Sequence, residues 1–271
     1  MTHILVATDM SPRGRVAVQR ALTLAPVLDG PVTVLTVLDD AMPDALTATL
    51  AEQARAALVA DVPEGTVIDV RVGDPVQTIL AAADGADLLV LGTHRPRSFL
   101  GELRETTMQR IARLSTVPVL VAAGPPEAPY RAVLGACDFS PAAEAALALA
   151  LRLAPKAEVT PIHVVHIPYA GRLAATGPSA AMLEQSFRAE IDRDAARWRG
   201  AAPLPARITE RLEVVSGAPG PILRDRAGSG AADLIAMGAH GRVGAARSLM
   251  GSLATDMMRD PPCDLLIARP H

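Results

Sequence analysis

At 271 residues the chain is long enough for two domains of ordinary size, and half of it is apolar but only 2% aromatic, so aliphatic side chains must fill the core. A net charge of −3 with so few aromatics excludes the basic grooves and stacking platforms of nucleic-acid binders. The apolar runs fall far short of the roughly 20 residues of a membrane helix, and "MTHILVATDMS" lacks the layout of a signal peptide, which predicts a cytoplasmic protein with no membrane partner.

From the N-terminus, "HILVAT" is an apolar run of strand length that ends at Asp9-x-Ser11-Pro12. Ser11 is placed to cap the next helix and Pro12 to occupy its first position. A second strand follows at "VTVLTVL", a third at "TVIDVRV", a fourth at "DLLVLG" and a last at "VPVLVAA", with helical patterns between them. "AGPPEAPYR", Ala123 to Arg131, then reads as a stiff linker.

Beyond the linker the order repeats. "AVLGACDFSPAAEAALALALRLAP" from Ala132 matches the segment from His3, pairing Asp9 with Asp138 and Pro26 with Pro155 at an offset of 129. "ADLIAMGAH" from Ala232 matches "ADLLVLGTH" from Ala86 at an offset of 146, the difference arising from longer inserts near "PYAGRLAATGPSAA". Strands are expected at "VTPIHVV", "RITERLEVV", "DLIAMG" and "CDLLIA", and a long helix over "AAMLEQSFRAEIDRDAARW". Alternating strands and helices with unbroken apolar strands predict parallel sheets covered on both faces. The expected fold is therefore two tandem doubly wound five-stranded α/β domains, over 1–124 and 130–271. The two last strands are apolar and need a partner, so they are expected to pair with each other within the chain as a pseudo-dimer.

In such sheets ligands sit beyond the carboxyl ends of the strands, where the order reverses. Asp138, Val164 and Gly238 all fall at that edge. The stretch "MGAHGRVGAARSLMGS" places Gly238-x2-Gly241-x9-Gly251-Ser252 between the fourth strand and the last helix. A helix start with close-approaching glycines suits phosphate oxygens; a bare turn with a serine cap explains the same residues.

That spacing, together with Asp-x-Ser after the first strand, resembles the universal stress protein family, twice over nearly the whole chain. The resemblance implies a Rossmann-like fold of the adenine nucleotide alpha hydrolase type and an ATP site in the second half. Carried over, it implies Asp138 near ribose or metal with Ser140 beside it, and the Val164 backbone at adenine. Gly238, Gly241, Gly251 and Ser252 would surround ribose and phosphates, with magnesium or manganese bridging the phosphates. Asp264 stands where the family commonly has proline, and Ala218 where the first copy has Asp74. In the first copy the same spacing puts Arg95 in the place of Gly241 and Glu105 in that of Gly251; Gly101 falls four residues short of the helix start. Glu105 is expected to repel phosphate and occupy its donors, so this half is expected to bind no ATP in the family's manner. In the alternative reading Arg95 and Arg97 grip an anion.

Other constellations are plainer. His163 and His166 lie three apart on a strand and point opposite ways. His94 and His240 occupy matching places after the fourth strands, where loop packing is expected. Cys137 and Cys263 fit no metal spacing and read as buried thiols. No Lys-bearing phosphate loop, SGG loop or HxGH motif occurs, and Lys156 is the sole lysine. The function read from the sequence is thus an ATP-binding stress-response protein, with slow hydrolysis at most. The alternative is a non-nucleotide scaffold acting through protein partners the sequence does not name. Either reading admits a homodimer of the tandem chain.

Overall fold

The computed structural model describes residues 2–40, 43–93, 105–165, 178–241 and 250–270. The first half runs β1 (Ile4–Ala7), α1 (Pro12–Leu28), β2 (Val32–Leu38), α2 (Asp44–Asp61), β3 (Val67–Val72), α3 (Pro75–Ala83), β4 (Leu88–Gly92), α4 (Thr107–Leu114) and β5 (Val119–Ala122). The second runs β6 (Ala132–Ala136), α5 (Pro141–Leu153), β7 (Glu158–Val165), α6 (Pro178–Ala201), α7 (Ala206–Thr209), β8 (Glu213–Ser216), α8 (Pro219–Gly228), β9 (Leu234–Gly238), α9 (Ser252–Arg259) and β10 (Asp264–Ala268).

Helix starts follow the sequence signals. Ser11 Oγ accepts the Gly14 N–H at 3.1 Å and Ser140 Oγ the Ala143 N–H at 3.2 Å, with a proline at the first helical position in both. One expectation fails: "RITERLEVV" is not a continuous strand. Pro205, at φ −58°, starts the short α7, which buries Ile208 and Thr209, and only Glu213–Ser216 is extended. The repeated Asp before the fourth strands ties each half together: Asp87 accepts the His3 N–H at 2.8 Å, and Asp233 accepts those of Arg131 and Ala132.

The ten strands among the described residues form one sheet in the order β3-β2-β1-β4-β5-β10-β9-β6-β7-β8. Within each half the strands are parallel; β5 and β10 meet antiparallel, with Leu265 opposite Val121 and Ile267 opposite Val119. The last strands thus become the middle of one sheet, as expected of a pseudo-dimer, and the outer edges are β3 and β8. Each face carries a core that crosses this seam. On one, Val18 and Leu24 share a cluster with Leu147 and Trp198; on the other, Ile79 and Ile111 share one with Leu223 and Met257. Gln109 Nε2 of α4 reaches the Thr255 carbonyl of α9 at 3.4 Å across the same axis.

The linker is not a free spacer. Pro125 and Pro126 contribute carbonyls but no N–H, and those carbonyls bind α1: Arg20 donates to Pro125 and to Ala128 (2.7 Å), and Thr23 to Pro126 (2.7 Å). Arg20 is 2% exposed, lies over the Tyr130 ring at 4.4 Å and pairs through Nε with Asp264 Oδ2 at 2.7 Å. Asp264, fully buried at the start of β10, also accepts the Tyr130 hydroxyl and the Ala123 and Gly124 N–H groups. A Cβ on Gly124 would lie 3.3 Å from its Oδ1, so glycine suits this approach. Asp264, anomalous in the sequence, is the anchor that joins β10, the linker and α1.

Candidate functional site

In the second half β6 stops at Ala136, and the last bond on its β7 side is Cys137 N–H to the Ile162 carbonyl, 2.9 Å. The strand β7 runs three residues further. The Val165 carbonyl accepts from Gly217 on the β8 side. Backbone groups alternate sides along a strand, so the Val164 N–H and C=O face the crevice, where β6 no longer runs. A cavity of about 280 Å³ occupies this crevice between the ends of β6, β7 and β9 and the start of α9.

Six of the seven residues picked from the sequence line it: Asp138, Val164, Gly238, Gly241, Gly251 and Ser252. Ser140 does not; it is buried, donates from Oγ to Asp138 Oδ1 at 2.5 Å, adds its N–H at 3.1 Å, and caps α5. Its contribution is to hold the Asp138 carboxylate. Phe139, between them, adopts φ 64° and stacks on His163 at 4.4 Å, while His163 Nδ1 bonds the Cys137 carbonyl at 2.8 Å.

The glycines separate by cause. At Gly238 a Cβ would lie 2.8 Å from Ala142 Cβ and 3.0 Å from the Ala143 nitrogen. Gly92 meets the matching backbone of Arg13, so this glycine serves strand–helix packing in both halves. Gly241 does not have the positive φ that a turn glycine often adopts; a Cβ there would lie 2.9 Å from Asp138 Oδ2, so the glycine makes room for that carboxylate. At Gly251 the nearest atoms to a Cβ are 3.6 Å away and φ is −62°. None of the described residues requires glycine at 251.

Gly251, rather than Ser252, is the N-cap of α9, and no side chain among the described residues caps that helix. The Gly251 N–H bonds the Ala239 carbonyl at 2.7 Å, and the next three residues, Ser252, Leu253 and Ala254, line the cavity. The first half is built differently: α4 begins one residue later relative to its counterpart and carries a complete capping box. Thr106 Oγ1 accepts the Gln109 N–H at 3.2 Å and Gln109 Oε1 the Thr106 N–H at 2.9 Å. Glu105 does not occupy those donors, as the sequence had suggested; it forms a two-pronged pair with Arg113 at 2.7 and 3.0 Å, which lowers its pKa. His94, Arg95, Arg97, Gly101 and His166 lie outside the described residues.

Sequence reasoning missed the far wall of the cavity, Pro219 and Leu223 of α8, whose signal is an apolar helix face starting at a proline. It also underrated His240, which lines the cavity and whose Nδ1 is buried without a hydrogen-bond partner among the described residues. Such a buried group calls for a partner beyond the described residues. Burial pushes both thiols, Cys137 and Cys263, up to about 12, in keeping with inert structural cysteines. Among the described residues no group of three His, Cys, Asp or Glu side chains is arranged to hold a metal, and no helix is long and apolar enough to cross a membrane.

The model of the universal stress protein family matches the chain twice, over residues 1–123 and 129–269. Among solved structures, a universal stress protein of Archaeoglobus fulgidus DSM 4304 is 20% identical, covers 99% of this chain and 98% of its own, and superposes with a TM-score of 0.68. One from Pseudomonas aeruginosa UCBPP-PA14 is also 20% identical, over 100% of this chain and 94% of its own, with a TM-score of 0.67. At that identity they show the fold alone; no curated protein matches. The double match of the family model spans almost all of the sequence, and the chain belongs to the universal stress protein family as a tandem member with two such domains in one polypeptide.

Proposed function

We propose that the second half binds an adenine nucleotide, and that the protein acts in a stress response by changing state with nucleotide supply. The observation that carries this is the start of α9 at Gly251, where no described residue gives glycine a steric cause and where Ser252, Leu253 and Ala254 of the first turn line the cavity. Phosphate oxygens suit first-turn N–H groups and the positive end of the helix dipole. The Val164 backbone supplies one donor and one acceptor in a row, matching the edge of adenine. Asp138, held by Ser140, suits the ribose hydroxyls, and the orphan His240 Nδ1 would gain a partner. A divalent cation, magnesium or manganese, would be held mainly through the phosphates. The reading is of a binding protein located in the cytoplasm, with slow hydrolysis at most. Binding alone signals when the two conformations differ in affinity for the ligand.

Gly251→Asp in the full chain tests this. The new carboxylate would cap α9 and occupy the amides intended for phosphate, without steric conflict. ATP affinity, measured by calorimetry with magnesium, is expected to fall about 100-fold, the equivalent of losing about two charge-assisted hydrogen bonds. Unchanged ATP affinity in that variant, or no ATP binding by the parent chain, refutes the reading and favours a scaffold acting through protein partners.

A further inference from the structure

The two outer strands of the sheet differ as templates for a further strand. In β3 the Gly73 N–H bonds the Leu38 carbonyl at 2.9 Å. By alternation Val67, Asp69 and Arg71 turn their backbone groups to β2, while Ile68, Val70 and Val72 turn theirs outward. Arg55 Nη1 of α2 reaches the Ile68 carbonyl at 3.0 Å, in keeping with that direction, and leaves it a second lone pair. The other edge, β8, is only Glu213–Ser216. The Gly217 N–H bonds Val165, so Val214 and Ser216 face out, and Arg188 already holds the Ser216 hydroxyl at 3.2 Å. So short an edge is a poor template, and β3 of one copy on β8 of another would propagate without closing.

Two copies paired antiparallel through β3 use all three outward residues in one register, centred on Val70. Val70 then lies opposite the second copy's Val70, and Ile68 opposite its Val72, with about six hydrogen bonds between the strands. The same register sets Asp69 opposite the second copy's Arg71 and Arg71 opposite its Asp69. These are the closer kind of pair, with Cα atoms about 4.5 Å apart. The neighbouring registers centre on Asp69 or on Arg71 and oppose like charges. Within β3, Arg71 Nε already donates to Asp69 Oδ2 at 2.8 Å, so each guanidinium would lie between two carboxylates. Apolar cover comes from α2, on the sheet face where Ile68 packs against the cluster of Leu58. Val59, one turn beyond Arg55, is 60% exposed, the most of any large apolar side chain described. The second copy's Val72, 49% exposed when alone, would arrive beside Ile68 beneath that stripe. We propose that β3 is the pairing edge of a two-fold homodimer of the tandem chain, with Asp69 and Arg71 selecting its register.

Sedimentation equilibrium of the full chain tests this. The parent chain is expected to reach the mass of two chains by about 100 μM. Asp69→Arg opposes Arg to Arg, and Arg71→Asp opposes Asp to Asp; each should weaken association about 10-fold or more. Both side chains are partly exposed, so neither change threatens the fold, which circular dichroism checks. Mixed in equal amounts, the two variants should associate again, since each copy carries the charges that the other lacks. The double variant Asp69→Arg/Arg71→Asp should pair as the parent does. Val70→Pro removes an outward N–H, leaves the β2 ladder in place and should abolish association; the charge variants decide the matter if it does not fold. A parent chain that stays monomeric at that concentration overturns the proposal. So does a dimer that neither charge variant weakens, or a mixture of the two that fails to associate.

Discussion

Replacing Asp264 with asparagine keeps the side-chain shape, removes its charge and isolates the buried ion pair at the seam. In the folded chain Oδ1 takes the Ala123 and Gly124 N–H groups at 2.8 and 2.6 Å. Oδ2 takes the Tyr130 hydroxyl at 2.6 Å and pairs with Arg20 Nε at 2.7 Å. Asparagine has one accepting oxygen, so one pair of donors would face its NH2 group. Arg20 would keep its charge with no counterion in a site that is 2% exposed. Removing one partner of a buried pair costs about 3–5 kcal/mol, a large share of the roughly 5–15 kcal/mol that a folded domain has in hand. At roughly 2–4 °C per kcal/mol, Tm should fall by about 6–20 °C. Urea unfolding at neutral pH, followed by far-UV circular dichroism and Trp198 fluorescence, gives the free energies for Asp264→Asn, Arg20→Met and the double variant. The double variant should cost less than the sum of the singles by about 1–3 kcal/mol, since the second removal relieves an orphaned charge. A loss under about 1 kcal/mol in Asp264→Asn, or strict additivity, refutes the anchor.

The remaining predictions concern the helix starts, the glycines and alkaline pH. Ala218→Asp copies Asp74, whose Oδ1 accepts the Gln77 N–H at 2.8 Å, whereas the Ala218 cap of α8 has no side-chain bond; it should add about 1 kcal/mol, read as a raised Tm. Thr106→Ala removes the capping box of α4 and should cost about 1 kcal/mol by the same measurement. Gly238→Ala should cost about 1–3 kcal/mol by overpacking, whereas Gly251→Asp should be neutral or stabilising by a few tenths; equal losses in chemical denaturation would show that both glycines serve packing. In the folded chain Cys137 and Cys263 stay protonated to about pH 12, whereas unfolded thiols titrate near 9. Between those values the unfolded chain binds fewer protons, so stability present below pH 9 should decline by about 1.4 kcal/mol per pH unit for each thiol. Burial also raises Tyr130 well above 10, which adds a third proton to the decline above pH 10. Serine at both cysteine positions should remove the part that begins near pH 9 in pH-dependent urea titrations.

The fold was legible because the aliphatic runs end at turn residues and occur twice at fixed offsets. The seam was legible because two apolar last strands leave no other home for their edges. "RITERLEVV" misled because its apolar residues suit a strand, while Pro205 fixes the backbone for a turn of helix before it. The site's position could be read from Asp138, Val164 and the glycine spacing, but the causes of the glycines could not. Gly238 answers to α5, Gly241 to Asp138, and Gly251 to neither, and only interatomic distances separate these. Ser140 was read as a ligand residue because its place beside Asp138 is visible in sequence and its burial is not. Arg20 did leave a trace: it falls in the stripe Ala17, Ala21, Leu24 and Leu28, where a charge must find a buried partner. That the partner is Asp264, at the far end of the chain, is a fact of topology with no local signature.

The antiparallel join of β5 and β10 also decides how this protein responds to dilution. Two separate subunits joined along such strands would hold together only above some threshold abundance, and their melting temperature would track concentration. Here both strands belong to one polypeptide, and the linker between the halves is clamped to α1 and β10. This seam therefore adds no concentration dependence to the midpoint of unfolding and holds alike when the protein is scarce and when it is plentiful.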